Sequence, residues 1–456
     1  MHKRLSLIVR NILYSLRGGF LVRPLTVALV LGFLGAFLSE SEEAFPALSA
    51  WVPRALFPSH NDPQVAQAVL SGIATSIMTV VSIVFAILLM TLTLASMQFS
   101  PRIIVSFARD RVTQWTLGIF LGTFCYCMAA LPAARSVPYP FAPVATVLGA
   151  MVLALTCVAL LLFFIHHISQ AISVNFIVDR IATETEAVIR ETMLRPRTLP
   201  RPMPRPLESF PEGGGAGEAV IPCPVSGYIR FIETQRLVEL AKAYRVKIQV
   251  LRRVGHFVPE GLPLLRVSKP ERLTPERSTE LGRAFDLGPA RTLQEDIEFG
   301  VLQMVDIALK AISPAVNDPT TAINCVDQLS RILIRFASRE PPEPVLYDPP
   351  GVVRVVLPWI GFEKLLTSAF DQIRFYGRAD GAVSLRLMRA LDDIATCTQA
   401  PEDRLPVLAL GQRVVAGCKG HLDERDQAAM RLRLARIEKT IERSKPTQFT
   451  GSSPNP

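Results

Sequence analysis

The stretch from residue 71 to residue 100 contains no charged residue. Such a long uncharged, apolar run excludes an ordinary soluble helix and is typical of a transmembrane segment. At 1.5 Å per residue, a helix of this length extends about 45 Å, which exceeds a hydrocarbon core of about 30 Å. We therefore expect this helix to tilt in the bilayer or to project beyond it.

The sequence also lacks the motifs of several functional classes. Its seven cysteines include no CxxC spacing, which argues against a zinc site or a disulfide framework. It contains no phosphate-binding loop, nucleophile elbow or zinc-protease helix. No aromatic-rich RNA motif accompanies the formal net charge of +9. We therefore expect no enzyme activity, no cofactor, no metal and no nucleic-acid partner.

Three further apolar segments accompany the uncharged run. The four predicted spans are residues 20–38, 71–100, 113–132 and 143–165, and Arg23 and Pro24 make the first the weakest. No acid or base is expected deep in any span, which argues against a proton relay. His166 and His167 follow the fourth span. Adjacent helical residues point about 100° apart, so interfacial anchoring is a better interpretation of this pair than metal binding.

The charges outside the spans predict the topology. The N-terminus and the loop over residues 102–111 are basic, whereas the loop over residues 39–69 is acidic around Glu42. The positive-inside rule then places both termini in the cytoplasm of a bacterial inner membrane. Residues 1–18 have the pattern of a basic amphipathic helix on the membrane surface, with a solvated helix packed on the protein as the alternative. The arginines expected to contact anionic lipid are Arg10, Arg17, Arg102, Arg109 and Arg111.

The rest of the chain divides by composition. Since no proline or glycine interrupts residues 151–194, the fourth span is expected to continue without a break into a helical stalk over 168–194. A Pro/Arg/Gly linker over 195–217, a small β-rich domain over 218–270, a mainly helical domain over 271–444 and a disordered tail over 445–456 follow. The predicted fold is an α-helical membrane bundle within residues 19–167 plus an α+β cytoplasmic domain.

The β-rich segment carries a local motif. Residues 255–267 read GHFVPEGLPLLRV, which resembles a half-motif of biotinyl/lipoyl-like barrel-sandwich domains and implies a small β-barrel-like subdomain. The modified lysine of those domains has no counterpart here, so the resemblance does not imply a covalent cofactor.

Two longer motifs resemble a known family. They are MQFSPR at residues 97–102 with the downstream LGIFLGTFCY at 117–126, and DIEFG at 296–300 with VDIALKAISPAVNDPTTA at 305–322. Together they resemble a bacterial family of predicted integral membrane proteins that is defined only as a domain of unknown function. The resemblance implies a four-span bundle with a cytoplasmic C-terminal domain and assigns no catalytic residue.

The second motif forms a predicted helical hairpin. Its polar positions and the following proline are Asp296, Asp306, Asn317, Asp318 and Pro319. Asp318 is expected to cap the second helix, with proline at the first helical position. Paired carboxylates could bind a cation, but ion pairs with Arg291, Lys310 and Arg331 are the favoured interpretation.

Small and hydroxyl residues form a stripe along the uncharged run. The stripe consists of Gly72, Ser76, Thr79, Ser82, Ala86, Thr93 and Ser96. Such residues permit close helix packing in lipid. The alternative is a weakly polar pore lining in a ring of protomers. The sequence favours an oligomeric channel with a cytoplasmic regulatory domain, and the second reading is a membrane-anchored sensor or scaffold whose cytoplasmic domain binds a partner protein.

Overall fold

The structure, a computed structural model, describes residues 22–45, 62–98, 110–137, 139–171, 173–193, 196, 217–348 and 351–443. The chain divides into two compact units, Met1–Ser173 and Val174–Pro456. The predicted interfacial helix, most of the linker, the tail and the candidate lipid contacts Arg10, Arg17, Arg102 and Arg109 lie outside the described residues, as does the side chain of Ser96.

The N-terminal unit contains four long helices. They are α1 (Val22–Ala44), α2 (Pro63–Gln98), α3 (Arg111–Ala130) and α4 (Val144–Ala171). All four are long and apolar enough to cross a membrane. The helix α2 begins earlier than the uncharged run, because the Asp62 side chain accepts a hydrogen bond from the backbone N–H of Gln64 at 2.9 Å and Pro63 occupies the first helical position.

Glycines allow α1 and α3 to approach closely. A Cβ atom on Gly35 would lie 2.5 Å from the backbone oxygen of Tyr126, and one on Gly122 would lie 2.5 Å from Leu31 Cδ1. Small residues at such crossings permit tight packing of membrane helices. This contact gives a physical reason for the glycine spacing in the LGIFLG part of the family motif.

The helix α4 ends before the predicted stalk. It stops at Ala171, and the next helix, α5 (Val174–Thr192), belongs to the C-terminal unit. The backbone N–H of Ser173 donates to Gln170 O at 3.0 Å, an i→i−3 bond that tightens and ends the last turn. The expectation of one unbroken helix to residue 194 is therefore wrong, although no proline or glycine marks the break.

The C-terminal unit continues with strands and helices. In chain order these are β1 (Glu218–Pro222), β2 (Gly227–Ile232), α6 (Thr234–Tyr244), β3 (Ile248–Val250), β4 (Phe257–Val258), β5 (Pro263–Ser268), α7 (Pro275–Gly282), β6 (Phe285–Gly288), α8 (Ile297–Ala311), α9 (Pro319–Ala337), β7 (Val345–Asp348), β8 (Val352–Val356), α10 (Phe362–Tyr376), α11 (Gly381–Cys397), α12 (Pro401–Cys418) and α13 (Glu424–Arg443).

The strands form two sheets. The larger has the order β1-β5-β3-β8-β7 and the smaller the order β4-β2-β6. All described pairings are antiparallel except that between β3 and β8. The barrel-like subdomain expected over 218–270 is not confirmed, because two strands of the larger sheet come from residues 345–356.

The helix α5 packs against the hairpin formed by α8 and α9. The apolar face of α5, which includes Ile177, Ile181 and Ile189, is buried. On its polar side, Arg331 of α9 donates to Glu186 at 2.8 Å. The apolar side of α5, which required a partner in water, therefore packs within its own C-terminal unit.

Candidate functional site

The stripe on α2 faces away from its own bundle. The stripe residues whose side chains are described, from Gly72 to Thr93, are exposed. The residues Ala66, Leu70, Ala74 and Val84 lie on the opposite face and are buried. At 100° per residue, the centres of the two faces are roughly 180° apart.

The hydroxyl groups of the stripe are already hydrogen-bonded to their own helix. Thr79 donates to Thr75 O at 3.1 Å, and Ser82 donates to Met78 O at 3.0 Å. Such bonds lower the cost of placing a hydroxyl in an apolar environment. The stripe can thus face lipid, another helix or a narrow polar path without unsatisfied donors.

Glu42 occupies a different position from the one predicted. It lies in the last turn of α1, inside a candidate span, and is 0% exposed. Its carboxylate accepts bonds from Ala145 N at 2.9 Å, Thr146 N at 3.1 Å and Thr146 Oγ1 at 3.0 Å. The N-terminus of α4 stabilises this negative charge, so the placement of Glu42 in an acidic loop is wrong, and the first span does hold a buried acid at one end.

Polar contacts also join the helices at the opposite end of the bundle. Asp110 caps α3 by accepting from Thr113 N at 2.9 Å. The same carboxylate lies 2.9 Å from His167 Nε2 on α4, and Arg23 donates to Gln114 at 3.1 Å. His167 therefore has a defined partner within the bundle. Arg111, beside this cap, is exposed.

The C-terminal unit holds a compact network of buried charges. Arg291 donates to both carboxylate oxygens of Asp296, from Nε at 2.7 Å and from Nη2 at 2.8 Å. Glu298 accepts from Arg253 at 2.8 Å, from Arg291 at 3.2 Å and from Ser368 at 2.9 Å. Buried charges are tolerated when they are paired and fully hydrogen-bonded. This network joins the turn after β3, the start of α8, and α10.

The turn at Gly255 fits closely against this network. Its φ is +88°, and a Cβ atom there would lie 2.2 Å from Asp296 Oδ2 and 2.7 Å from Arg291 Nη2. Glycine adopts this backbone conformation without steric cost. The glycine that suggested a barrel-sandwich turn is therefore explained by its contact with the ion pair.

A pocket of about 100 Å³ opens beside the charge network. Its lining comes from the end of β2, the start of α6, the turn after β3, the start of α8 and the segment after β8. The lining residues are Ile232, Thr234, Arg253, Val254, Glu295, Asp296, Ile297, Glu298, Leu357, Pro358, Trp359 and Ile360.

The ionisable groups around the pocket differ in their environments. Burial raises the pKa of Glu295 to about 7, although the backbone N–H of Ile232 donates to it. Burial also acts on Glu298, but the charges and hydrogen bonds of Arg253 and Ser368 hold its pKa below the ordinary value. Burial and nearby Arg253 lower the pKa of His256, so this imidazole is neutral at neutral pH.

The hairpin residues do not form one site. Asp296 caps α8 and belongs to the charge network. Asp318 caps α9 by accepting from Thr321 N at 3.1 Å, with Pro319 at the first helical position, as predicted. Asn317 has a φ of +49° in the preceding turn, and Asp306 is half-buried within α8. Within the described part of the chain, no group of three His, Cys, Asp or Glu residues could hold a metal.

Sequence reasoning did not identify the pocket. Arg253 and Glu298 are 45 residues apart, and the Leu357–Ile360 segment lies farther along the chain. The only sequence feature that pointed to the pocket was the DIEFG motif, in which Asp296 and Glu298 are two residues apart. Which arginines pair with these carboxylates is decided by the fold. The sequence did suggest Arg291 as a partner of these carboxylates, and the structure confirms that pairing.

Comparison with known proteins agrees with the apolar helices. An uncharacterized protein of Mycobacterium bovis is 33% identical over 388 residues, which cover 84% of this chain and 74% of the relative. An uncharacterized protein of Mycobacterium tuberculosis has the same identity and coverage. No solved structure matches the chain. A family model described as "Predicted membrane protein (DUF2254)" matches residues 17–393. The chain therefore belongs to this family of predicted membrane proteins.

Proposed function

We propose that this protein is an oligomeric conductance protein of the bacterial inner membrane, regulated by a cytoplasmic C-terminal unit. The outward direction of the α2 stripe carries the proposal. A helix that placed only apolar side chains outward would be suited to lipid alone. This helix instead presents small and hydroxyl residues between Gly72 and Thr93 on the face opposite its buried side, with the exposed Ile83 and Met90 among them.

Several copies of the chain are needed for such a path. The interior of the four-helix bundle is filled by large side chains, among them Phe120, Tyr126 and Phe164, which are at most 2% exposed. A conducting path therefore lies between protomers, with α2 of each copy lining it. The hydroxyl groups offer a weakly polar surface, since their hydrogen atoms are used within the helix while oxygen lone pairs remain free.

Basic segments orient the protein in this proposal. The connection between α2 and α3 contains Arg102 and Arg109, Arg111 begins α3, and the N-terminus contains Arg10 and Arg17. Positive charges near the ends of spans favour the cytoplasmic side and attract anionic headgroups. In this proposal the N-terminus and the C-terminus of the chain both lie in the cytoplasm.

Planar-bilayer recording of the purified full-length protein tests the conductance. Wild-type protein is expected to give discrete currents under voltage, membrane tension or pH change. A double variant, Thr79→Leu with Ser82→Leu, replaces two stripe hydroxyl groups by larger apolar side chains. It is expected to reduce the unitary conductance severalfold. Met78→Leu, an exposed off-stripe position on the same helix, is the matched control. Silence of the wild type under all three stimuli, or equal currents in stripe and control variants, contradicts the proposal.

A second candidate function is that of a membrane-anchored sensor or scaffold. The observation in its favour is that more than half of the chain, Val174–Pro456, forms a unit with its own core. In this alternative the spans are an anchor, and the C-terminal unit binds a partner protein. Electrical silence together with specific binding of one partner by the full-length protein would favour it over a channel.

A further inference from the structure

The pocket beside the charge network is separate from the stripe on α2 and lies wholly within the C-terminal unit. Apolar side chains provide most of its lining, including Ile232, Val254, Ile297, Leu357 and Ile360. Each water in the liquid takes up about 30 Å³, so about 100 Å³ corresponds to roughly three water molecules. The size suits a small organic molecule.

One carboxyl group of the pocket lining has no arginine partner. The two arginines, Arg253 and Arg291, are paired with the two carboxylates of Asp296 and Glu298. Glu295 remains, and among the described residues its carboxylate has a hydrogen bond from the backbone of Ile232 but no cationic side chain as partner. Burial lowers the pKa of nearby His256, on which the charges of Arg253 and Arg252 also act. The pocket lining therefore contains one carboxyl group without an arginine partner, and this group carries a negative charge mainly above pH 7.

We propose that this pocket binds a small organic cation of the alkylammonium class, with its ammonium group on the Glu295 carboxylate and its alkyl group against the apolar walls. A buried carboxylate without a counter-ion is unfavourable, and a bound cation removes that penalty. Trp359 in the lining adds an aromatic side chain, a group that favours cationic ligands.

The same features disfavour other ligand classes. An anion would meet the Glu295 carboxylate, while both arginines are already engaged by Asp296 and Glu298. A neutral alcohol would gain the apolar contacts but would leave the carboxylate charge uncompensated. A hydrated metal ion would lose water to mostly apolar walls with one free carboxylate, whereas hard cations require several oxygen ligands.

Titration of the full-length protein in detergent with three probes of similar size tests the inference at pH 8, above the pKa of about 7 of Glu295. The probes are isobutylamine, isobutanol and isobutyrate, which differ mainly in charge. Fluorescence of Trp359 reports occupancy in a W51F/W115F background, because the chain has three tryptophans. Isobutylamine is expected to give a saturable change at a concentration about tenfold or more below either other probe, the factor that one charge-assisted hydrogen bond provides.

Two variants locate the charge recognition. Glu295→Gln keeps the shape of the side chain and is expected to remove the preference for the amine. Glu239→Gln changes an exposed carboxylate on α6, outside the pocket lining, and is expected to bind as the wild type does. A thermal unfolding curve confirms that each variant is folded.

Three results would overturn the inference. One is the absence of a saturable response to the amine in the wild type, and another is an equal response to amine and alcohol. The third is a folded Glu295→Gln variant that retains the amine preference. If that variant does not fold, the comparison of the three probes on the wild type decides the question alone.

Discussion

Glu42 shows how a single carboxylate can join two membrane helices. It is fully buried at the end of α1, and its hydrogen-bond partners are 103 and 104 residues away in the sequence. The three donors that it satisfies belong to the first turn of α4, where backbone N–H groups have no partner within the helix. The carboxylate therefore acts as an N-cap supplied by another helix.

Replacing this acid should destabilise the bundle. Glu42→Ala leaves the two buried donors of Thr146 and the partly buried N–H of Ala145 without an acceptor, and each uncompensated buried donor costs about 1–3 kcal/mol. Unfolding of the purified protein in detergent should therefore occur at lower temperature or denaturant concentration. Glu40→Ala, at an exposed position in the same helix, should unfold like the wild type. Equal stability of both variants would show that Glu42 does not cap α4.

Glu295 should make stability depend on pH in a direction unusual for an acid. Its pKa rises from an ordinary 4.5 to about 7 on folding, so the folded state binds the proton more tightly than the unfolded state. The contribution of this residue to stability is fully present below pH 4.5 and falls as the pH rises through the window from about 4.5 to about 7.

The matched comparison is Glu295→Gln, which has no titrating group at this position. Unfolding midpoints of wild type and variant should be measured from pH 5 to pH 8. The variant should gain stability relative to the wild type as the pH rises to about 7, and the difference should then become constant. A difference that is independent of pH would mean that Glu295 keeps an ordinary pKa.

The roles of polar residues could be predicted from the sequence where their hydrogen-bond partners lie only a few residues away. Asp318 and Pro319 could be predicted because a cap and its donor lie three residues apart. The contacts of Glu42, of His167 with Asp110, and of Arg253 with Glu298 could not, since each joins residues that only the fold brings together. The sequence therefore allowed individual polar residues to be picked out as candidates, but it did not show which of them the fold brings together in a pocket.

At the scale of elements, the spacing of apolar residues accounts for the buried faces but not for where every helix ends. The face of α5 that includes Ile181 and Val188 is buried, as helical spacing of apolar residues favours in water. The break between α4 and α5 was missed, because Ser173 ends the turn by a backbone hydrogen bond that no breaker residue announces.

Close packing between α5 and α8 depends on Gly300. A Cβ atom at this position would lie 2.0 Å from Thr185 Oγ1 and 2.9 Å from Leu293 Cδ1. Thr185 is buried and its hydroxyl donates to Ile181 O at 2.7 Å. The glycine of the DIEFG motif thus allows the two helices to contact along their backbones.

A double-mutant cycle should reveal this contact. Gly300→Ala is expected to destabilise the C-terminal unit by about 1–3 kcal/mol through overpacking. Thr185→Ala removes the nearest atom, so the double variant should lose less stability than the sum of the two single variants, with a coupling of about 0.5–3 kcal/mol. Chemical unfolding followed by circular dichroism provides the measurement. Additive losses would show that the two residues do not meet.

At the scale of the whole molecule, features that depend on pairing between distant parts of the chain could not be predicted from the sequence. The four apolar helices were evident from composition, because each span is a local property of the chain. The five-stranded sheet was not, since β8 pairs in parallel with β3 across about 100 residues. Both sheets and the charge network depend on such pairings, and the barrel-like subdomain that a local pattern of glycines suggested is not confirmed.

The distribution of charge over the whole chain makes a final prediction about topology. Arginines flank the connection between α2 and α3, whereas the connection between α1 and α2 follows the acidic end of α1. With four spans, the termini lie on the same side, and the positive-inside rule makes that side the cytoplasm. Glu42 and Glu43 are already engaged by α4 and by Arg135, so the arginines dominate the orientation.

Reporter fusions in a bacterial host measure this topology. A reporter that is active only in the periplasm should give signal when inserted within residues 46–61 and none when fused after Pro456. A reporter active only in the cytoplasm should give the reverse pattern at the same two positions. Replacing Arg102, Arg109 and Arg111 by glutamine should produce a mixed orientation, since these charges hold their loop inside. Periplasmic signal from both positions would show that α2, α3 and α4 do not all cross the bilayer, because three spans between the two positions place them on opposite sides.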